Sequence, residues 1–265
     1  MKAKKIITTI ACISIWLIIW YAVSLAVGKD IFFPAPDAVI RALVSMASTS
    51  GFYADILYSM RGIMAGFIIG MLSGIMLAIP SFCCYYLEAF INIPVKVIRA
   101  VPVASFVILA LLWLKSSALS TLISASMVMP IIYSQMLSAL KNTDRKMLEF
   151  AKVYRLSLMK RIRYIFIPSV MPSLVSAASV AVGFAWKSGI AAEIIGLIRG
   201  SIGNELYKAK LYLETPKLFA WTITIIIVSV ACEKLITLLL HIVSNSLGGS
   251  SHEKIHNNQF THSTI

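Results

Sequence analysis

The hydrophobic residues of this chain gather into long blocks that are separated by polar segments. The first block, 6–27, has 22 residues. At about 1.5 Å per helical residue it is long enough to cross a hydrocarbon core about 30 Å thick. Similar blocks lie at 63–79, 97–114, 119–140, 169–190 and 218–243. The pattern predicts an all-α polytopic membrane protein with about six transmembrane helices in a single domain, 1–243. The polar residues 244–265 are predicted to form a disordered tail.

The composition excludes an ordinary soluble domain. The chain is 59% hydrophobic and 13% charged, and its mean hydropathy is +0.86. The net charge of +13 does not indicate a nucleic-acid partner, because the cations adjoin the apolar blocks instead of alternating with exposed aromatic residues. The positive-inside rule places both termini, and residues 80–102 with Lys96 and Arg99, on the cytoplasmic side. Three tryptophans fall at predicted outer ends, as in an aromatic belt: Trp113, Trp186 and Trp221.

A highly basic segment, 144–167, separates the fourth and fifth blocks and is predicted to be a cytoplasmic loop. Residues 144–164 contain seven lysines or arginines and two acids, a surplus typical of the cytoplasmic side. Four apolar residues fall on one stripe at helical spacing: Met147, Ala151, Tyr154 and Leu158. The segment is therefore predicted to begin with a short amphipathic helix held off the membrane. Ser157 is expected to cap a second helix, and Pro168 fits a helix start.

Four glycines in the second block recur at every fourth residue: Gly62, Gly66, Gly70 and Gly74. In lipid, helices gain little hydrophobic free energy by associating, so close backbone approach at small residues carries much of the attraction. The repeat predicts a helix-packing seam. The sequence leaves open whether this seam lies within one subunit or across a dimer.

Two charged residues, Lys187 and Glu193, lie near the predicted outer end of the fifth block. Being six residues apart, they are separated by about 120° on one helix and do not form a simple i, i+4 pair. Two interpretations remain open. Either both side chains reach the outer interface, or they line a translocation path for an anion.

The motifs of common catalytic sites are absent from the sequence. It contains no phosphate-binding GxxxxGK[ST], no nucleophile triad spacing and no cluster of metal ligands, so the chain is not expected to hydrolyse ATP, bind a cofactor or hold a metal. His252 and His256 have i, i+4 spacing, but no third ligand accompanies them, which favours a solvated tail. Energy for any transport must come from a partner or an ion gradient.

The basic loop resembles the EAA loop of bacterial ABC importer permeases. The resemblance rests on Glu149, Ala151, Ser157 and Ile167-Pro168, against a family pattern of E-x-A, a glycine four residues later, and hydrophobic-Pro. This sequence departs from the pattern at Phe150, in the place of the second alanine, and at Arg155, in the place of the glycine. The resemblance implies a coupling helix seated in a cleft of an ATPase. The implied coupling residues are Glu149, Phe150, Ala151, Lys152, Tyr154, Arg155, Ser157 and Pro168.

Other segments resemble the same family, and one branch of it in particular. Residues 32–36 and 98–114 resemble its FPxP and R-x-[IV]-P-x-x-A segments, while 185–196 and 200–222 are similar to the branch that imports nitrate, alkanesulfonates, taurine or thiamine pyrimidine precursors. The resemblance implies a multi-pass protein of the bacterial cell membrane that works as a homodimer with two ATPase subunits, which bind ATP and Mg. It also implies an extracytoplasmic binding protein that selects a small anionic or polar solute.

Three alternatives are weighed against this interpretation. The basic loop alone fits any cytoplasmic connection between two membrane helices. An ion-coupled secondary transporter would need buried acids or histidines at mid-span, and the first five blocks have none at their centres. The third alternative is a non-transporting membrane assembly subunit. It is distinguished from a permease by measuring whether ATP turnover changes when this chain is present.

Overall fold

The computed structural model describes residues 2–246, and these residues form eleven α-helices. They are α1 (Lys2–Val27), α2 (Pro36–Ala47), α3 (Ser50–Cys83), α4 (Tyr85–Ala100), α5 (Val103–Ala110), α6 (Ser116–Lys141), α7 (Arg145–Val153), α8 (Leu158–Arg161), α9 (Ile167–Gly196), α10 (Ile202–Leu211) and α11 (Thr215–Ser246). A π-helical turn, Ile162–Phe166, joins α8 to α9. Residues 247–265, with most of the predicted tail and both His252 and His256, lie outside the described residues.

Among residues 2–246, five helices are long and apolar enough to cross a membrane, and α4 with α5 is a sixth candidate if that bent pair counts as one span. The prediction of an all-α polytopic membrane protein is confirmed. The second span is longer than predicted, because α3 begins at Ser50, 13 residues before position 63 and about 20 Å earlier along the helix. No proline interrupts 51–79, so nothing stops the helix from starting after the extended Thr49. The last helix likewise continues three residues into the predicted tail.

The predicted third span, 97–114, is wrong as a single helix. The chain breaks at Val101 and Pro102, where α4 and α5 meet at an angle of 103°. A proline disfavours helical geometry in the residue before it, and Val101 accordingly has an extended conformation with ψ 127°. The sixth candidate crossing therefore consists of two helices, α4 and the short α5.

Helix α6 is the centre of the bundle, since both α3 and α9 pack along it. The four seam glycines of α3 face α6 of the same chain: a Cβ atom added at Gly70 would lie 2.6 Å from the carbonyl oxygen of Ala125 and 2.7 Å from the Cβ of Val128. Thr121 also donates a hydrogen bond to the carbonyl of Gly62 at 3.0 Å. The seam therefore lies within the subunit, which decides a question that the sequence left open.

Two of the three tryptophans predicted to form an aromatic belt belong to the core instead. Trp186 is 1% exposed and Trp221 is 5% exposed, whereas Trp113 is 78% exposed. The ring of Trp221 packs against that of Phe52 at a centroid distance of 4.9 Å. The belt prediction is therefore wrong for Trp186 and Trp221, because both side chains belong to the buried core of the bundle, where Phe52 of α3 covers Trp221.

Candidate functional site

The basic loop folds into a short helix, α7, that stands outside the bundle. Asp144 caps it, because the Asp144 carboxylate accepts a hydrogen bond from the Lys146 N–H at 2.9 Å. Of the predicted apolar stripe only Ala151 is buried, at 0% exposure. The other three members are exposed: Met147, Tyr154 and Leu158. The larger side chains of the stripe are therefore free to contact another molecule.

Arg155, which stands where the family has glycine, keeps the backbone geometry that glycine favours. Its φ is +47°, in the left-handed region. The Leu156 N–H donates to the carbonyl of Ala151 at 2.9 Å, and the Arg155 N–H donates to that of Lys152 at 3.1 Å. This is the Schellman arrangement that ends many helices. The turn after α7 is thus retained, and its left-handed residue bears a steric penalty of roughly 1–2 kcal/mol.

Replacing Arg155 with glycine is expected to raise stability, because glycine adopts φ near +47° without the Cβ clash. The gain should be below about 1 kcal/mol, since glycine also gains conformational freedom in the unfolded chain. The measurement is thermal unfolding of Arg155→Gly and Arg155→Ala in detergent. Alanine keeps the Cβ and lacks the guanidinium, so it should not be stabilised. An Arg155→Gly chain less stable than Arg155→Ala would show that backbone strain is not the controlling feature.

The connection from α7 to α9 differs from the prediction at Ser157. Ser157 precedes α8 in the cap position, but its hydroxyl makes no capping hydrogen bond. The Arg161 Nε instead donates to the carbonyl of Leu156 at 3.0 Å, which ties the turn to α8. Pro168 lies in the first turn of α9, as predicted. Because proline lacks an N–H, the regular helical hydrogen bonding is interrupted before Pro168. The preceding residues form the π-helical turn.

An exposed apolar surface with one acid extends over α7 and the turn that joins it to α8. We define this coupling surface as Glu149, Phe150, Val153, Tyr154 and Leu158. Phe150 and Tyr154 are 54% and 65% exposed, and their rings pack on each other at a centroid distance of 4.3 Å. Among residues 2–246, Glu149 has neither a hydrogen bond nor an ion pair within the chain, although Lys152 and other cations lie nearby in sequence. An exposed apolar patch is typical of an interaction site.

Glu193 lies in the interior of the subunit, so its side chain is not exposed at the outer interface. Its side chain is fully buried, at 0% exposure. One carboxylate oxygen accepts from the Ser59 hydroxyl at 2.7 Å and from the Gly203 N–H at 3.1 Å, and the other accepts from Ser120 at 3.3 Å. Gly203 is in the first turn of α10, where a carboxylate complements the positive end of the helix dipole. The carboxylate therefore joins α10 to α3, α6 and α9.

Lys187, the other charged residue predicted on the fifth span, lies on the uncovered side of α9. Its side chain is exposed, and its ammonium lies 5.8 Å from the centroid of the Phe184 ring. Six residues after it in sequence, Glu193 is enclosed by helices. The two residues, which the sequence analysis placed in the same environment, therefore differ in exposure: Lys187 is exposed and Glu193 is buried.

Arg99 is a residue whose environment the sequence prediction missed. It was assigned to a cytoplasmic segment, but its Nη2 donates to the carbonyl oxygen of Pro130 at 2.7 Å and to the Ser134 hydroxyl at 2.6 Å. Pro130 is the fifteenth of the 26 residues of α6, close to the middle of that span. The available signal was Pro102, three residues later, because a break there separates α4 from α5 and lets α4 pack along the middle of α6.

Comparison with known proteins places this arrangement in a family. The profile of the binding-protein-dependent transport system inner membrane component family matches residues 62–248. The chain belongs to this family. It is a permease subunit of an ABC importer and a multi-pass protein of the cell membrane. The prediction of an ABC importer permease, made from the EAA-like loop, is thereby confirmed. The alternative of an ion-coupled secondary transporter is set aside. Permeases of this family are not themselves catalytic.

Several curated relatives of the permease match it over most of their length. The permease protein SsuC of Bacillus subtilis (strain 168), named for aliphatic sulfonates transport, is 22% identical over 89% of this chain and 84% of its own. The taurine transport system permease protein TauC of Escherichia coli (strain K12) is 22% identical over 87% and 86%. The nitrate import permease protein NrtB of Synechococcus elongatus is 25% identical over 78% of each chain.

Proposed function

We propose that this permease works as a homodimer with two ATPase subunits and that the coupling surface on α7 transmits their motion to the membrane helices. ATP and Mg would be bound by the ATPase subunits. The observation that carries the proposal is an exposed aromatic pair, Phe150 and Tyr154, on a helix fixed at both ends by Asp144 and by the turn at Arg155. A helix that is held at both ends moves as one rigid body. An exposed apolar surface on such a helix is therefore suited to transmit the motion of a bound partner.

The substrate is proposed to be a small anionic or polar solute, as the names of the relatives suggest. SsuC, TauC and NrtB are named for sulfonates, taurine and nitrate, all of which carry compact oxyanion groups. Lys187, exposed on α9, is proposed to face the translocation path and attract such groups. An extracytoplasmic binding protein would select the solute, and both termini of the permease would be cytoplasmic. Purifying that binding protein and identifying its ligand would test the substrate class.

Changes on the coupling surface should release or uncouple the ATPase. Phe150→Ala with Tyr154→Ala removes the aromatic pair, and Glu149→Lys reverses the one acid of the surface. A charge-assisted hydrogen bond contributes about 1.5–3 kcal/mol, so Glu149→Lys should weaken ATPase binding by roughly ten- to a hundredfold. The measurements are co-purification of the ATPase and substrate-stimulated ATP hydrolysis in proteoliposomes.

The matched control for these variants is Tyr212→Ala, which removes an equally exposed tyrosine, 70% uncovered, beyond the end of α10. Tyr212→Ala should retain ATPase binding, while all variants should insert into the membrane normally because no span is altered. Wild-type hydrolysis and co-purification for both coupling-surface variants would show that α7 is not the coupling element.

A further inference from the structure

A polar groove runs between α4 and α6 from the end of α6 at Lys141 to its middle at Pro130. Two contacts fix its ends: the Lys141 ammonium lies 2.6 Å from the Glu88 carboxylate, and Arg99 donates to the carbonyl of Pro130 at 2.7 Å. These contacts are eleven residues apart on each helix, which corresponds to a rise of about 16 Å. A cavity of about 300 Å³ begins at the Glu88–Lys141 contact and extends to Ser134, the hydroxyl partner of Arg99. Its polar lining includes Asn92, Ser134, Ser138 and Asn142.

The guanidinium of Arg99 brings an uncompensated positive charge to the upper end of this groove. Its two partners, the Pro130 carbonyl and the Ser134 hydroxyl, are neutral oxygens. Among residues 2–246 Arg99 forms no ion pair, and Glu88, the acid that lines the cavity, is already paired with Lys141. A lone charge near the middle of a membrane span is costly and is typical of a functional position.

Arg99 also has hydrogen-bonding capacity to spare. Both of its contacts are made by Nη2, so the N–H groups of Nη1 and Nε remain available to another acceptor. A purely structural role as a cap for the Pro130 carbonyl is redundant, since that oxygen already accepts a hydrogen bond from the Ser134 hydroxyl at 2.7 Å. The planar fork of a guanidinium matches the paired oxygens of sulfonate, nitrate or carboxylate groups.

We infer that Arg99 heads an anion-binding site in the groove between α4 and α6, and that this site receives a small oxyanion at mid-membrane. The inference rests on the proposed transport of such a solute and names where the permease itself would hold it. Ser134 accepts a hydrogen bond from the guanidinium and also lines the cavity, so the cavity connects the surroundings of Arg99 with the end of the groove at Glu88 and Lys141.

The site can be tested without transport, by the reactivity of a cysteine placed in the cavity. Ser138 is exposed, lies one helical turn below Ser134 and lines the cavity. In full-length permease in detergent, with the native cysteines replaced by alanine, Ser138→Cys is treated with the anionic 2-sulfonatoethyl or the cationic 2-trimethylammonioethyl methanethiosulfonate. A unit charge about 6 Å away changes the ratio of the two rates by about tenfold even at the dielectric constant of water. Arg99→Gln should therefore lower the anion-to-cation rate ratio by about tenfold at low ionic strength.

Three further arms make the result decisive. Arg99→Lys, which keeps the charge, and Lys96→Gln, which removes an exposed charge from the same helix, should each leave the ratio within about threefold. Ethanesulfonate at millimolar concentration should slow modification in the chain with Arg99 and not in Arg99→Gln. An unchanged ratio in Arg99→Gln, or no protection by ethanesulfonate, would overturn the site. A normal ratio and normal protection together with no anion uptake by the complete transporter would instead overturn the proposed function.

Discussion

Gly70→Leu is expected to leave little folded permease after extraction into detergent. Even a Cβ atom at Gly70 would lie 2.6 Å from the carbonyl oxygen of Ala125 and 2.7 Å from the Cβ of Val128, distances that real Cβ atoms do not show. The obstacle on one side is backbone, which cannot rotate away, so α3 and α6 must separate along their whole contact. Overpacking of this kind costs about 1–3 kcal/mol for small additions and more for a leucine. Total stabilities of about 5–15 kcal/mol leave little margin for such a loss.

The matched control is Gly183→Leu, because Gly183 lies in the transmembrane helix α9 and a Cβ added there meets nothing within 4 Å. Both variants have the same change in side chain and in helix propensity. Size-exclusion profiles and thermal unfolding in detergent should show loss of the folded species for Gly70→Leu, an intermediate loss for Gly70→Ala and a near-native Gly183→Leu. Equal behaviour of the two leucine variants would mean that the α3–α6 seam does not set stability.

Glu193→Ala is expected to lower the free energy of unfolding by about 2–4 kcal/mol and to loosen α10. The change removes the acceptor of the Ser59 hydroxyl and of the Gly203 N–H, and both groups stay buried. An unsatisfied buried donor costs about 1–3 kcal/mol. The Ile202 N–H donates to the Ser59 hydroxyl at 2.9 Å, so the substitution removes the acceptor of Gly203 and also the group that orients the acceptor of Ile202. Amide hydrogen exchange should accelerate in residues 201–211 more than in α6.

Glu193→Gln is the control that separates hydrogen bonding from size. Its carbonyl oxygen can accept from Ser59 and Gly203, while its amide can donate to Ser120, whose hydroxyl can rotate to become an acceptor. Glu193→Gln should therefore lose less than about half of what Glu193→Ala loses. Equal exchange rates in α10 for wild type and Glu193→Ala would show that the carboxylate does not hold this helix.

The sequence predicted best what depends on neighbours along the chain. Hydrophobic blocks revealed the spans, and the spacing of Gly66 and Gly70 revealed a packing face, because the periodicity of a helix is a local property. The turn at Arg155 is also local, since it lies two residues after the end of α7 and its hydrogen bonds join Arg155 to Lys152 and Leu156 to Ala151.

Long-range contacts were beyond the sequence, and the charged residues show why. Glu193 accepts from Ser59, 134 residues away, and Arg99 donates to Ser134, 35 residues away. Neither partner carries a charge, so the usual search for an opposite charge at i, i+4 finds nothing. Whether Pro102 would kink a span or break it likewise depended on the helices packed around it, which is a property of the whole bundle.

The glycine seam also constrains the time course of biosynthesis. Helix α3 receives its partner only when α6 has been made, and the hydrogen bond from Thr121 to Gly62 joins residues 59 positions apart. At a synthesis rate of about 5–20 residues per second, the glycine face of α3 remains without α6 for roughly 3–12 s in the membrane. During those seconds the ribosome is still attached and any other small-residue helix nearby is a competing partner. Slower elongation between codons 74 and 120 should therefore increase misassembly of nascent chains.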